Sequence, residues 1–317
     1  MAGEHRLLLD NAQQLVLVCT KGEKYLLQAG MQDLALLDNA SVVIGTDGCV
    51  KAVGHADAIR QQFSEASFEK IIDCSGKCIL PGKNATEATD DIISNHLPKL
   101  KELNLNGEIH VNNIDVFCEK GVFDLNCTRR ILQAGKGIGL QINFHGDELH
   151  PMKSAELGAE LGAQAISHLE EISDEGIAAM ASAKCAAVLL PTTAYMLRLK
   201  QPQARKMLKE GVIVALGSDF NPNAYCYSMP MVMHLACVNM KMSMKEALAA
   251  ATINAAYALG RSHMHGSIEN GKQGDLIIIN SSRWEHLIYQ FGGHQELIEY
   301  VIVKGKVIYK NKGIMGY

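Results

Sequence analysis

The sequence predicts an α/β chain: an incomplete (β/α) TIM-like barrel of about five of the usual eight strands, plus a small β-sandwich domain built from both chain ends. Three observations carry this reading. The middle of the chain alternates apolar strand-like runs with helical ones. Each strand-like run ends in polar residues able to do chemistry. Both chain ends are instead rich in hairpin signals.

Residues 1–82 read as β structure. In "SVVIGTDGCVKAVG" (41–54), Thr46-Asp47-Gly48 separates two apolar-rich runs, a strong turn signal. "KIIDCSGKCILPG" gives two further short strands around Ser75-Gly76. The other end matches, with "GSIENGKQGDLIIINSS" (266–282) and "EYVIVKGKVIYKN" (299–311). The expected division is therefore a composite β domain from 1–82 and 264–317, with the barrel segment 83–263 inserted into it. Neighbouring termini make that arrangement easy.

The inserted segment opens with a helical stretch over 86–103, with Thr86 as N-cap and Pro98 as a kink or stop. Strands are expected over 113–119, 140–148, 164–171, 185–193 and 212–222, with helices between them and on to about Gly260. Nearly unbroken apolar strands in βα alternation signify a parallel sheet buried on both faces. A repeat of roughly 25 residues suits a barrel, which typically takes about 250 residues. Only about 180 lie between Lys83 and His263. Three βα units are missing, and the shortfall lies before residue 113.

Composition narrows the function classes. The 317 residues are 48% hydrophobic and 20% charged with net charge −4, which points to neither nucleic acid nor a membrane surface as partner. No apolar run approaches the roughly 20 residues of a membrane span, and MAGEHRLLLD makes a poor signal peptide. Nine cysteines without a CxxC pair read as reduced thiols, hence a cytoplasmic location.

The chemistry sits at strand ends, where parallel α/β proteins place it. "NFHGDE" offers His145 and Glu148: an imidazole ligand for a divalent metal and a carboxylate three residues on that can move protons. The plain alternative is a histidine that caps the next helix. "SHLEE" adds His168 on the following strand, against the alternative of a satisfied core histidine. "ALGSDFNP" adds Asp219, a carboxylate that is costly to bury unless paired or metal-bound. Together His145, Glu148, His168 and Asp219 form a one-metal hydrolase pattern with half its histidines absent. The single H-x-H, His263-Met264-His265, follows a helix and reads as a surface turn. "GKGIG" (135–139) lacks dinucleotide-site spacing and reads as a helix-to-strand turn.

On "LPG", "DVFCEKGVF", "NFHGDEL", "SHLE", "LLPTT", "GSDFNPN" and "GSIENGKQGDLIIIN", the chain resembles the imidazolonepropionase family of metal-dependent amidohydrolases, in its animal form and over essentially its whole length. The resemblance implies hydrolytic opening of 4-imidazolone-5-propanoate to N-formimino-L-glutamate in histidine breakdown. It implies one divalent ion, zinc or iron, with His145 and Asp219 as ligands. It makes Glu148 a substrate-binding and proton-shuttling residue, His168 the residue that helps activate water, and Asn221 a hold on the propionate side. The small-molecule substrate is the implied partner, and a homodimer is compatible with the family.

The family's first strand carries two metal-binding histidines as H-x-H soon after "LPG", and its next two strands carry an arginine, a tyrosine and a histidine that grip substrate. Here the chain passes from Gly82 and Lys83 straight into the helix before the fourth strand. The expectation is a recognisable family member with little or no activity. The competing readings are an inactive variant that acts through binding or dimerisation, and another cyclic-amide hydrolase or deaminase. "GSDFNPN" and "DVFCEKGVF" argue against the last.

Overall fold

A computed structural model describes residues 3–19, 34–79, 85–290 and 292–311. The junction at Gly82 and Lys83 lies outside them. Two compact units divide the chain, residues 1–84 and 85–317.

The first unit is one sheet. Its strands are β1 (Gly3–Val18), β2 (Ala35–Gly45), β3 (Val50–His55), β4 (Ala66–Asp73) and β5 (Cys78–Ile79), in the order β3-β2-β1-β4 with β5 also on β1. The β2–β3 hairpin forms where Thr46-Asp47-Gly48 predicts it. Gly48 takes a φ of 81°, which a side chain would disfavour. The helix Ala56–Gln62 and Phe63 cover one face, packing Ile59 and Phe63 on Leu8 and Val43.

The second unit opens with a helical stretch in three pieces: Ala85–Asp91, a π-helical turn Ile92–His96, and Leu97–Leu105. Thr86 lies inside the first piece rather than capping it. Pro98 neither ends nor breaks the helix. It stands in the first turn of the third piece, where its missing N–H costs little, and the π turn precedes it.

Parallel strands follow: β6 (Asn113–Ile114), β7 (Phe117–Cys118), β8 (Gln141–Gly146), β9 (Ala165–His168), β10 (Ala186–Leu189) and β11 (Ile213–Leu216). They lie in the order β11-β10-β9-β8-β6, with β7 also on β8. β6 and β7 share the position expected for one strand over 113–119. The ladder lapses at Asp115-Val116, although the His145 N–H still donates to the Val116 carbonyl at 3.0 Å. On the helix-covered face, Ile142, Phe144, Ile166, Leu189 and Leu216 join the main core, which also takes Ile131, Met180 and Met207 from the helices. Small residues Ala165, Ala186 and Ala215 occupy the other face against Ala258.

Strands also form towards the C-terminal end. β12 (Leu276–Ile279), β13 (Ile298–Val303) and β14 (Lys306–Lys310) form their own antiparallel sheet, which belongs to the second unit. No helix among the described residues is long and apolar enough to cross a membrane.

Candidate metal centre at the strand ends

Strand alternation sets up the site. Along β8, Ile142 and Phe144 point into the core, which turns His145 to the other face. In register, His145 pairs with Ser167, and Gly146 pairs with His168. Alternation alone would place His168 opposite His145. His168 and Leu169 instead take φ of 80° and 68°, which ends the strand and brings the buried His168 ring to 5.2 Å from that of His145. Asp147 and Asp219 also take positive φ, 51° and 50°. Such backbone is uncommon for residues with a Cβ, and these four residues gather at one set of strand ends.

One donor atom each from His145, His168 and Asp219 lie within 4.8 Å of one another. The three side chains come from the ends of β8, β9 and β11. Asp219 Oδ2 accepts from Thr193 Oγ1 at 2.6 Å, and Thr192 Oγ1 donates to the Ser218 carbonyl at 2.7 Å, so the end of β10 steadies the turn after β11. Two imidazoles and a carboxylate converging on one point are a donor set suited to a divalent ion. A cleft of about 520 Å³ opens over them, lined also by Asp115, Glu148 and Asn221.

Glu148 stands beside the donors, its Oε2 3.5 Å from His168 Nε2. Burial raises its carboxyl above the usual range, with Glu170 and Asp219 adding repulsion, against the pull of His168. The loop that carries it is clamped on both sides. Asp147 accepts the Met152, Ser154 and Ala155 N–H groups at 2.7, 3.2 and 3.0 Å, capping the helix Ser154–Leu161. Buried Glu119, at the end of β7, accepts the Leu149 and His150 N–H groups at 2.9 and 3.3 Å, and its Oε1 lies 2.8 Å from His150 Nδ1. Gly146 permits close packing at this point, since a Cβ there would overlap the Ser154 side chain.

The arrangement sharpens several expectations. His168, expected to act on water, lies within the donor cluster. Asn221 reaches the cleft, but its amide serves its own loop, donating to the Asp219 carbonyl and accepting from the Asn223 N–H, at 2.7 and 2.8 Å. Glu170 is buried behind His168, its Oε2 3.7 Å from Nδ1, with no hydrogen bond to either oxygen. Asp115 and Glu119 were not singled out by sequence; both lie in "DVFCEKGVF", and their partners are set by strand register. His263-Met264-His265 falls in a turn away from the cluster, as expected.

The amidohydrolase family model matches residues 83–308. Proteins named "Probable imidazolonepropionase" from Homo sapiens and Xenopus tropicalis are 58% and 56% identical, covering 98% and 99% of this chain and 100% of each relative. The chain belongs to the imidazolonepropionase family of amidohydrolases. An adenosine deaminase from Xanthomonas campestris with bound zinc shares the fold at TM-score 0.53 and 14% identity, covering 100% of this chain and 96% of that one. The alignment to the human imidazolonepropionase runs over 425 positions, so at least 108 of them face no residue of this 317-residue chain.

Proposed function

We propose that this chain carries the imidazolonepropionase site in reduced form: it holds one zinc or iron ion at the strand ends but opens 4-imidazolone-5-propanoate far more slowly than its relatives. The carrying observation is the convergence of His145, His168 and Asp219 beside Glu148. When bound, a divalent ion there supplies Lewis acidity, polarising the ring carbonyl and lowering the pKa of water.

In the reaction, water adds to the ring carbonyl carbon. The C–N bond to the ring nitrogen breaks, and that nitrogen takes up a proton, giving N-formimino-L-glutamate. Glu148, held with a raised pKa, carries the proton from the water to the leaving nitrogen. Asn221, on the wall of the cleft, would hold the propionate side.

The reduction follows from His168. The family places an H-x-H on its first strand, and here, among the described residues, the parallel sheet runs from β11 as far as β6. That supports a barrel lacking its first three βα units, in keeping with the 108 unmatched positions. His145 and Asp219 alone are two donors, so His168 completes the set. An imidazole nitrogen that gives its lone pair to an ion cannot also accept a proton from water. One residue is thus asked to fill two roles.

The test is to purify the chain, measure bound zinc and iron, and follow the loss of imidazolone-propionate absorbance. The expected result is up to one ion per chain with turnover at least about 100-fold below a full-length relative. Turnover equal to the relative's would overturn the reduced-site reading. An absence of metal uptake would overturn the metal reading.

A further inference from the structure

His145 is held from the neighbouring strand position by two residues spaced two apart. Asp115 places Oδ1 2.8 Å from His145 Nδ1. Phe117, the cross-strand partner of His145, sets its ring 6.1 Å from the imidazole at 77°, edge to face. Residues i and i+2 of a strand face the same way, so the β6–β7 strand presents a carboxylate and an aromatic wall to one imidazole.

The identity of the bonded nitrogen matters. With the Nδ1 hydrogen donated to Asp115, the lone pair resides on Nε2. A neutral imidazole without that partner divides its proton between both nitrogens, and its ring is free to turn. A carboxylate behind a ligating histidine fixes the tautomer and strengthens the lone pair on the far nitrogen.

We infer that Asp115 is a positioning residue for the ion, holding His145 in the tautomer and orientation that present Nε2 to the metal. This rests on the metal reading proposed above. Among the described residues, the hydrogen bond of Asp115 runs to His145, and through that ring it reaches the donor cluster. Its side chain is 53% exposed. An ion pair that exposed contributes little to folding, which separates a positioning role from a structural one.

The experiment uses the full chain, Asp115→Asn and Asp115→Ala, each checked for an unchanged unfolding midpoint. Zinc affinity is measured by competition with a fluorescent chelator. Separately, the ring nitrogens of His145 in the metal-free chain are read by 15N NMR. Asp115→Ala is expected to bind zinc about 10-fold or more weakly, with Asp115→Asn between it and the parent. The parent should show His145 protonated on Nδ1, and Asp115→Ala should show the proton redistributed to Nε2. Equal zinc affinity in parent and Asp115→Ala would overturn the inference, as would a parent His145 protonated on Nε2. If the parent takes up no zinc, the metal reading fails, and the tautomer measurement still decides whether Asp115 orients His145. Should Asp115→Ala fail to fold, the near-isosteric Asp115→Asn supplies both readouts.

Discussion

The two ends of the parallel sheet handle polar groups in opposite ways. At the end where strands begin, neutral side-chain amides donate to backbone carbonyls, with the buried Asn113 and Asn143 amide oxygens left unpartnered. Gln164 Nε2 donates to the Tyr257 carbonyl at 2.7 Å, Asn143 Nδ2 to the Ala258 carbonyl at 2.9 Å, and Asn254 Nδ2 to the Val214 carbonyl at 2.8 Å. The Cys185 thiol just before β10 is pushed by burial up to about 12, so it stays protonated. At the end where strands finish, Asp147, Glu148, His168 and Glu170 are buried ionisable groups, and four residues carry positive φ. One end fastens the helix Ile253–Ala258 to the sheet. The other gathers buried ionisable groups on uncommon backbone, an arrangement that costs stability.

The sharpest way to break this contrast is to remove a donor. His145→Ala or Asp219→Ala should cut zinc affinity by more than the roughly 10–100-fold expected for losing an outer partner. Gln164→Ala, at the opposite end, should leave zinc affinity unchanged and lower stability by about 1 kcal/mol. Chelator competition and thermal melts check both. If Gln164→Ala weakened zinc as much as Asp219→Ala, the division between the two ends would not hold.

A pair of glycines tests the same contrast through packing. Gly146 closes β8 where a Cβ would overlap Ser154, so Gly146→Ala should destabilise by about 1–3 kcal/mol. Gly137 ends the helix Leu125–Gly137 that leads into β8, and a Cβ there meets nothing within 4 Å. Gly137→Ala should be neutral or stabilising by up to about 1 kcal/mol. Urea titration of the two variants separates the outcomes.

Much of this was legible in the sequence, for physical reasons. Strands buried on both faces must be apolar, so "QINFH", "AISH", "AAVL" and "IVAL" stand out, and the polar residues that follow mark the strand ends. What was not legible depends on register or on unusual backbone. Asp115 and Glu119 find His145 and the 149–150 loop only because β7 lies beside β8. His168 joins the donors only because its φ is positive; alternation would send it to the opposite face.

Glu170 offers a third test. Its carboxylate is 1% exposed and has no hydrogen bond, a costly state. Glu170→Gln removes a buried charge with little change in shape, so the metal-free chain should gain about 1–3 kcal/mol. A matching change at a satisfied site, Asn254→Ala, should lose stability. A loss in Glu170→Gln instead would mean that the charge is anchored by His168 and belongs with the satisfied groups.

The smallest expected effect is in the pH dependence of the metal-free chain. Glu148 holds its proton more tightly folded than unfolded, because burial raises its folded pKa above the usual carboxylate value. A raised carboxylate pKa means that the ionised form destabilises the fold. That penalty is fully present above the folded pKa, and it is relieved as pH falls through the folded value towards the unfolded one near 4.5. Glu148→Gln removes the titration. The variant should therefore exceed the parent in stability at neutral pH, and the gap should close on acidification. One proton limits the slope to about 1.4 kcal/mol per pH unit. Paired denaturant titrations from neutral pH downward measure the gap. A gap that stayed constant, or widened as pH fell, would show that His168 outweighs burial at Glu148 and that this strand end is better paired than its geometry implies.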